Sequence, residues 1–383
     1  MSIIKKHFDK VRPYFNDGGK LHALHSVFEG IESFLLVSNS TSKSGVSIHD
    51  AIDSKRIMSM VVIALIPATL FGMYNIGYQN YVAAGCIASS NVIDLFTYGF
   101  LSLLPKIIVS YLVGLGIEFI VAQYKKEEIQ EGYLVTGLII PLILPINCPL
   151  WMMALAVAFA VIFAKEIFGG TGMNFMNPAL VARAFLFFSY PSQMSGDMVW
   201  IFDKGDAVSG ATPLGELAVG SNASASLCDM FTGFIPGCVG ETSVIAILLG
   251  ACLLLITNIA SWRIMLSIFV GGAAMGLLFN CIGANDYMNV PFYQHFLMGG
   301  FAFGAVFMAT DPVTSSHTNI GKYIYGFLIG VMAVLIRVLN PAYPEGMMLA
   351  ILLMNVFAPL IDYYVVDANI RRRKKRMRIA TTK

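Results

Sequence analysis

The sequence predicts an all-α polytopic membrane protein: about ten transmembrane helices in two inverted five-helix repeats, with some helices broken. Three observations predict it. Of 383 residues, 57% are hydrophobic and 13% charged, against roughly 25% charged in a soluble domain; mean hydropathy is +0.71. Apolar runs recur from Lys55 onward, at the length of about 20 residues that crosses a ~30 Å hydrocarbon core. Lysine and arginine cluster in one set of connections between those runs.

In order, spans are expected near 55–77, 98–123, 131–147, 150–168, 178–191, 242–260, 262–282, 293–310, 323–339 and 345–366. Those near 131–147 and 178–191 are short. The first contains Pro141 and Pro145 and is followed by Pro149, the pattern of a discontinuous helix lining a site near the midplane. Asn177-Pro178-Ala179 recurs as Asn340-Pro341-Ala342, and Gly137…Pro145 is echoed by Gly304…Pro312. Five spans per half is an odd number, so the second repeat is expected to be inverted. The resulting division is an amphipathic segment (1–54), a first repeat (55–191), a loop (192–241), a second repeat (242–366) and a basic tail (367–383).

The N-terminal segment carries Lys5, Lys6, Arg12, Lys20, Lys43, Lys55 and Arg56. The tail carries Arg371, Arg372, Arg373, Lys374, Lys375 and Arg376, and Lys125 and Lys126 share one loop. The loops near 78–97, 145–150 and 283–292 have no basic residue, and the 192–241 loop has only Lys204. Both termini are therefore expected in the cytoplasm and the long loop outside it. No cleavable signal peptide is evident in the polar first 50 residues. Six cysteines form no CxxC pair, which argues against an iron–sulfur or zinc site made by this chain alone. Cys228 and Cys238 share one loop, where a disulfide and free thiols are both open. The partner implied by composition is a lipid bilayer, and no nucleic acid is expected.

Two polar stretches stand out. Lys165-Glu166 runs into Gly169, Gly170, Thr171, Gly172, Asn174, Asn177 and Pro178. Glycines admit a ligand close to the backbone, a helix starting at Pro178 aims its positive end at the loop, and the asparagines can donate and accept. A re-entrant turn with helix-capping asparagines accounts for the same residues. The segment lacks GxGxxG spacing and follows a helix, so it is not a Rossmann turn. Thr310-Asp311-Pro312-Val313-Thr314 is the corresponding element of the second half, with oxygen ligands of the type a hard cation prefers. Glu118 and Lys106 lie in the second span, where snorkelling and quiet pairing are sufficient explanations. Glu131, Glu345 and Asp362 fall at span ends. The second stretch, Asp206-Ala207-Val208-Ser209-Gly210-Ala211-Thr212, is a small-residue loop presenting a hydroxyl.

These motifs carry a resemblance. Asp206 through Thr212, followed by Pro213-Leu214, resembles the flavin-attachment motif of membrane flavin carriers. Lys165 through Asn174, Asn177-Pro178-Ala179, Arg183-Ala184-Phe185 and Ala309 through Val313 resemble the B-subunit family of sodium-translocating NADH:quinone reductases. That likeness extends over essentially the whole chain, from Gly18-Gly19-Lys20 through Lys55-Arg56-Ile57-Met58 to the last span. The D subunit of Rnf-type ferredoxin:NAD oxidoreductases is the nearest alternative, and the N-terminal segment of about 50 residues favours the quinone reductase.

The resemblance implies flavin mononucleotide (FMN) esterified to Thr212 by a separate flavin transferase outside the cytoplasm. Ser209, Gly210 and Ala211 would leave room for the transferase, and Asp206 would position the loop. It also implies a non-covalent riboflavin near Gly169, Gly170, Thr171, Asn174, Asn177 and Asp311. Electrons would pass to ubiquinone or menaquinone, partner subunits (A, C, D, E and F) would supply them, and sodium export would be coupled to their passage. Candidates for the sodium path are Asp311, Glu118, Glu131 and Glu345. The implied place is a bacterial inner membrane. A plain channel or secondary transporter, needing no cofactor, is the reading from another class.

Overall fold

The computed structural model describes residues 10–15, 28, 54–86, 91–125, 132–196, 199–201, 210–220, 224–340 and 343–381. Glu131, Asp206 and Ser209 lie outside them. Every regular element among the described residues is helical, as the bilayer demands: a helix satisfies its own backbone polar groups where no water can.

The first half comprises α1 (Ser54–Ala83), α2 (Val92–Lys125), α3 (Tyr133–Ile143), α4 (Leu150–Ala160) and α5 (Pro178–Ser189). Three short helices follow: a single turn at Pro191–Met194, then α6 (Pro213–Ala218) and α7 (Leu227–Thr232). The second half comprises α8 (Val244–Ile256), α9 (Trp262–Ile282), α10 (Phe301–Phe303), α11 (Asn319–Leu339) and α12 (Met347–Thr381). Among the described residues six helical stretches are long and apolar enough to cross a membrane, and α3, α5 and α8 are shorter apolar helices. Large apolar side chains such as Ile66, Leu101, Leu112, Leu249 and Val270 stand exposed, as expected of faces whose solvent is lipid.

The all-helical, polytopic class agrees with the sequence; among the described residues six long and three shorter apolar helices stand where about ten spans are expected, and two stretches differ. The span expected at 293–310 is not one helix. It breaks into short turns and α10, followed by a π-helical turn over Gly304–Met308. Gly299 (φ 59°) and Gly300 interrupt it, and hydropathy alone cannot register such a break. The basic tail is also no separate segment, because α12 runs unbroken to Thr381; lysine and arginine are good helix formers.

α1 packs on α2, α3 and α8; α9 packs on α11; α5 reaches across to α12. The pairs α1–α8 and α5–α12 therefore join the halves. Small residues allow the closest approaches. A Cβ on Gly330 of α11 would lie 2.1 Å from the Ile268 carbonyl oxygen of α9. In a bilayer, packing of this kind substitutes for the hydrophobic effect. Gly330→Leu is accordingly expected to cost at least about 1–3 kcal/mol, read as a lower melting temperature in detergent. Unchanged melting would mean that the α9–α11 contact is not a close one.

Candidate functional site: two cavities linked by α5

An inner cavity forms where the N-terminus of α3 meets the Gly169–Asn177 loop and the segment after Met308. It encloses about 780 Å³ including its mouth, and its wall includes Gly132, Lys165, Thr171, Asn174, Asn177 and Asp311. The Gly169–Asn177 loop and the Thr310–Thr314 element of the second half thus meet. Asn177 Nδ2 donates to Asp311 Oδ2 at 3.5 Å, across 134 residues.

Asn177 Oδ1 accepts the Ala179 N–H at 3.0 Å and caps α5, with Pro178 as its first residue, so the bland reading of this asparagine is also met. Asn174 Oδ1 accepts from Gly172 N–H (3.3 Å), and its amide donates to the Met176 carbonyl (3.1 Å). Asp311 accepts from Val313 N–H (3.1 Å) and the Thr314 hydroxyl (3.0 Å). Burial raises the Asp311 pKa, and these two bonds oppose the rise. Thr171 Oγ is buried with no partner among the described residues. It is a buried hydroxyl at this wall with a hydrogen bond still to make. Gly169 (φ 111°) and Gly170 (φ 90°) hold left-handed backbone that an L side chain would strain, but they shape the loop and do not line the cavity.

At this wall Lys165 Nζ is bonded to Glu118, with both side chains about 5% exposed. Glu118 is therefore not snorkelling; it is half of a buried ion pair. Lys165 also stands 5.8 Å from the centre of the Tyr133 ring. Lys106 is buried as well and donates to the Pro145 and Ile146 carbonyls at 2.9 and 2.5 Å. It satisfies acceptors that the proline-broken end of α3 leaves free.

An outer cavity, about 640 Å³ including its mouth, opens at the other end of α5. Thr212, Pro213 and Leu214 line it with Phe187, Trp200, Tyr343, Arg183, Glu241, Thr242 and Glu345. Thr212 caps α6: its Oγ accepts the Gly215 N–H at 3.1 Å. The apolar face of α6 (Pro213, Leu214, Leu217) is buried, and Leu214 packs against Gly299. Gly210 is buried, and Ala211 and Thr212 are half-buried. The loop is thus packed down at its C-terminal end rather than fully open. Arg183, 3% exposed, bonds the Ile143 carbonyl and Glu345 and reaches Cys238 Sγ at 3.3 Å. Cys238 is buried, Cys228 is exposed, and neither is in a disulfide.

A polar contact thus joins the two halves at each cavity: Asn177 to Asp311 at one end of α5, Arg183 to Glu345 at the other. α5 carries the first-half member of both. From Asn177 to Phe187 is about 15 Å along a helix axis, half of a ~30 Å hydrocarbon core. Sequence reasoning missed Glu241, which reads there as an ordinary residue before the Ser243 cap of α8. It valued Arg183 only as part of a motif, because a single arginine in an apolar run does not disclose its partner.

The fold is that of a polytopic helical membrane protein with two cavities at opposite ends of one short helix. Residues 41–371 match the family model described as NQR2, RnfD, RnfE family, and the chain belongs to that family. Among curated relatives it is 47% identical to the B subunit of the Na(+)-translocating NADH-quinone reductase of Chromohalobacter salexigens, covering 97% of this chain and 96% of that protein. It is 44% identical to the proteins of the same name from Klebsiella pneumoniae (97% and 99%) and Neisseria meningitidis serogroup B (97% and 98%).

Proposed function

We propose that this chain is a membrane subunit of a sodium-translocating NADH:quinone oxidoreductase that carries FMN on Thr212 and riboflavin in the inner cavity. The observation that carries the reading is the setting of Thr212. Its Oγ is fixed at the wall of a cavity by accepting one N–H through a lone pair. The hydroxyl proton remains replaceable, so esterification keeps the cap bond. Phe187, Trp200 and Tyr343 offer aromatic faces to a planar ring. The inner cavity fits a second, unattached ligand, with apolar walls and the unpartnered Thr171 hydroxyl.

A flavin at each place would supply one-electron chemistry; the chain's own residues hold the two sites at fixed separation on α5. Electrons would arrive from partner subunits and leave to ubiquinone or menaquinone, with sodium moved outward. Glu118, Glu131, Asp311 and Glu345 are candidates for its path. Maturation requires a flavin transferase on the side where residues 192–241 lie, and the basic termini would sit in the cytoplasm of a bacterial inner membrane. The discriminating assay is quinone reduction by the purified complex. Stimulation by sodium with NADH as donor supports the reading, whereas a requirement for ferredoxin would replace it by the Rnf counterpart.

The riboflavin site has its own test. Asn177→Ala removes the amide that reaches Asp311, and Asn177→Ser does the same while keeping a capping oxygen. Both are expected to lower extracted riboflavin relative to covalent FMN. An unchanged ratio in both variants would move riboflavin elsewhere.

A further inference from the structure

At the floor of the outer cavity two buried carboxylates point their free oxygens at one spot. Glu241, 7% exposed, accepts the Cys238 N–H on Oε1 at 3.1 Å. Its Oε2 has no partner among the described residues. Glu345, 8% exposed, is held by Arg183 on Oε2, and its Oε1 is likewise unpartnered. A Cβ built on Gly300 would lie 2.7 Å from Glu345 Oε1 and 2.8 Å from Glu241 Oε2. The two oxygens therefore flank the same point, and the residue there has no side chain. The Thr242 hydroxyl, 2% exposed, is a third unpartnered oxygen lining this cavity.

The surrounding cations do not answer these oxygens. Arg183 serves the other oxygen of Glu345. Arg337 directs its three bonds to the backbone carbonyls of Glu345 (2.8 Å), His295 (2.5 Å) and Met298 (3.0 Å). Two guanidiniums balance two carboxylates in sum, yet each carboxylate retains one oxygen facing its neighbour. Such an arrangement is costly without something between. A hard cation accepts several oxygens at about 2.3–2.6 Å and prefers carboxylate and hydroxyl ligands.

We propose that Glu241, Glu345 and Thr242 hold a sodium ion beside the flavin-bearing Thr212, at the outer end of the ion's path. The inference rests on the sodium-pumping reading above and adds a site to it. Leu214, two residues from Thr212, packs against Gly299, next to Gly300. A negative charge gained near Thr212 would therefore favour a cation here, which is how electron arrival and sodium occupancy would be linked.

Two substitutions in the purified complex test the site. Glu241→Gln removes one charge and leaves the Arg183–Glu345 pair intact. Gly300→Ala places a methyl group between the carboxylates, where the three nearest atoms are the flexible ends of Glu345, Glu241 and Met348. Equilibrium binding of radioactive sodium is compared with wild type, with choline holding ionic strength constant and potassium as a control cation. In-gel flavin fluorescence is recorded on the same samples. The expected result is one sodium fewer per complex, or at least about tenfold weaker binding at one site, with covalent flavin retained. Unchanged sodium stoichiometry and affinity in both variants would overturn the site, as would a wild-type cluster that responds to pH and not to sodium, meaning a shared proton. Loss of sodium in samples whose wild-type band is dark would leave the site standing and remove the flavin reading instead.

Discussion

Thr212→Ala is expected to yield a chain that enters the membrane and assembles but carries no covalent flavin. In cells that express the transferase, the denatured wild-type band should fluoresce and the variant band should be dark. The effect is all-or-none because the hydroxyl oxygen is the bonding atom. The structural cost is small by comparison. Thr212 Oγ caps a helix of 6 residues, and losing an N-cap costs about 1 kcal/mol, far below what a fold joined by α1–α8 and α5–α12 requires to come apart. Thr212→Ser separates the two roles, since serine restores both the cap and a hydroxyl. If Thr212→Ala still fluoresces after denaturation, the attachment point is another residue. If the variant is dark only because it fails to accumulate, the serine variant shows it by accumulating.

Glu118→Ala is expected to have the largest effect on stability. The substitution strands the Lys165 ammonium at the wall of the inner cavity, with 5% of its side chain exposed. Removing one partner of a buried pair costs about 3–5 kcal/mol, because the remaining charge loses its compensation, while replacing both by apolar groups is often nearly neutral. Glu118→Leu combined with Lys165→Met should therefore recover much of the melting temperature that Glu118→Ala loses. The double variant also isolates any role of Glu118 in the sodium path. Recovered stability with sodium stimulation still absent would assign Glu118 to ion movement, and recovery of both would make the pair structural. Equal melting of Glu118→Ala and wild type would contradict a buried pair at this place.

The long spans were legible in the sequence because hydropathy and length are what a bilayer selects; α1, α2, α9 and α11 fall where apolar runs place them. The discontinuity at α3 was announced by Pro141 and Pro145. The break before α10 was not, since Gly299 and Gly300 interrupt a run that stays apolar from Phe296 to Ala309. Thr171, Asn174, Asn177 and Asp311 were all named from type and position, and the structure brings them to one cavity. Their hydrogen-bond roles were not legible. The two asparagine oxygens accept local backbone N–H groups, the Asn177 amide reaches Asp311, and the Thr171 hydroxyl is buried without a partner among the described residues. Contacts that depend on which helices meet, such as Arg183 with Glu345 over 162 residues, leave no trace in local pattern. Glu241 was invisible for the same reason: nothing near it in the chain reveals that Glu345 approaches it at Gly300.

The most direct test of the central claim is peptide mapping by mass spectrometry of the denatured chain, purified from cells that express the flavin transferase. One peptide, containing Thr212, is expected to be heavier by FMN less one water, with fragmentation placing the added mass on that threonine. A flavin on a different residue, or a chain of unmodified mass, would contradict the claim.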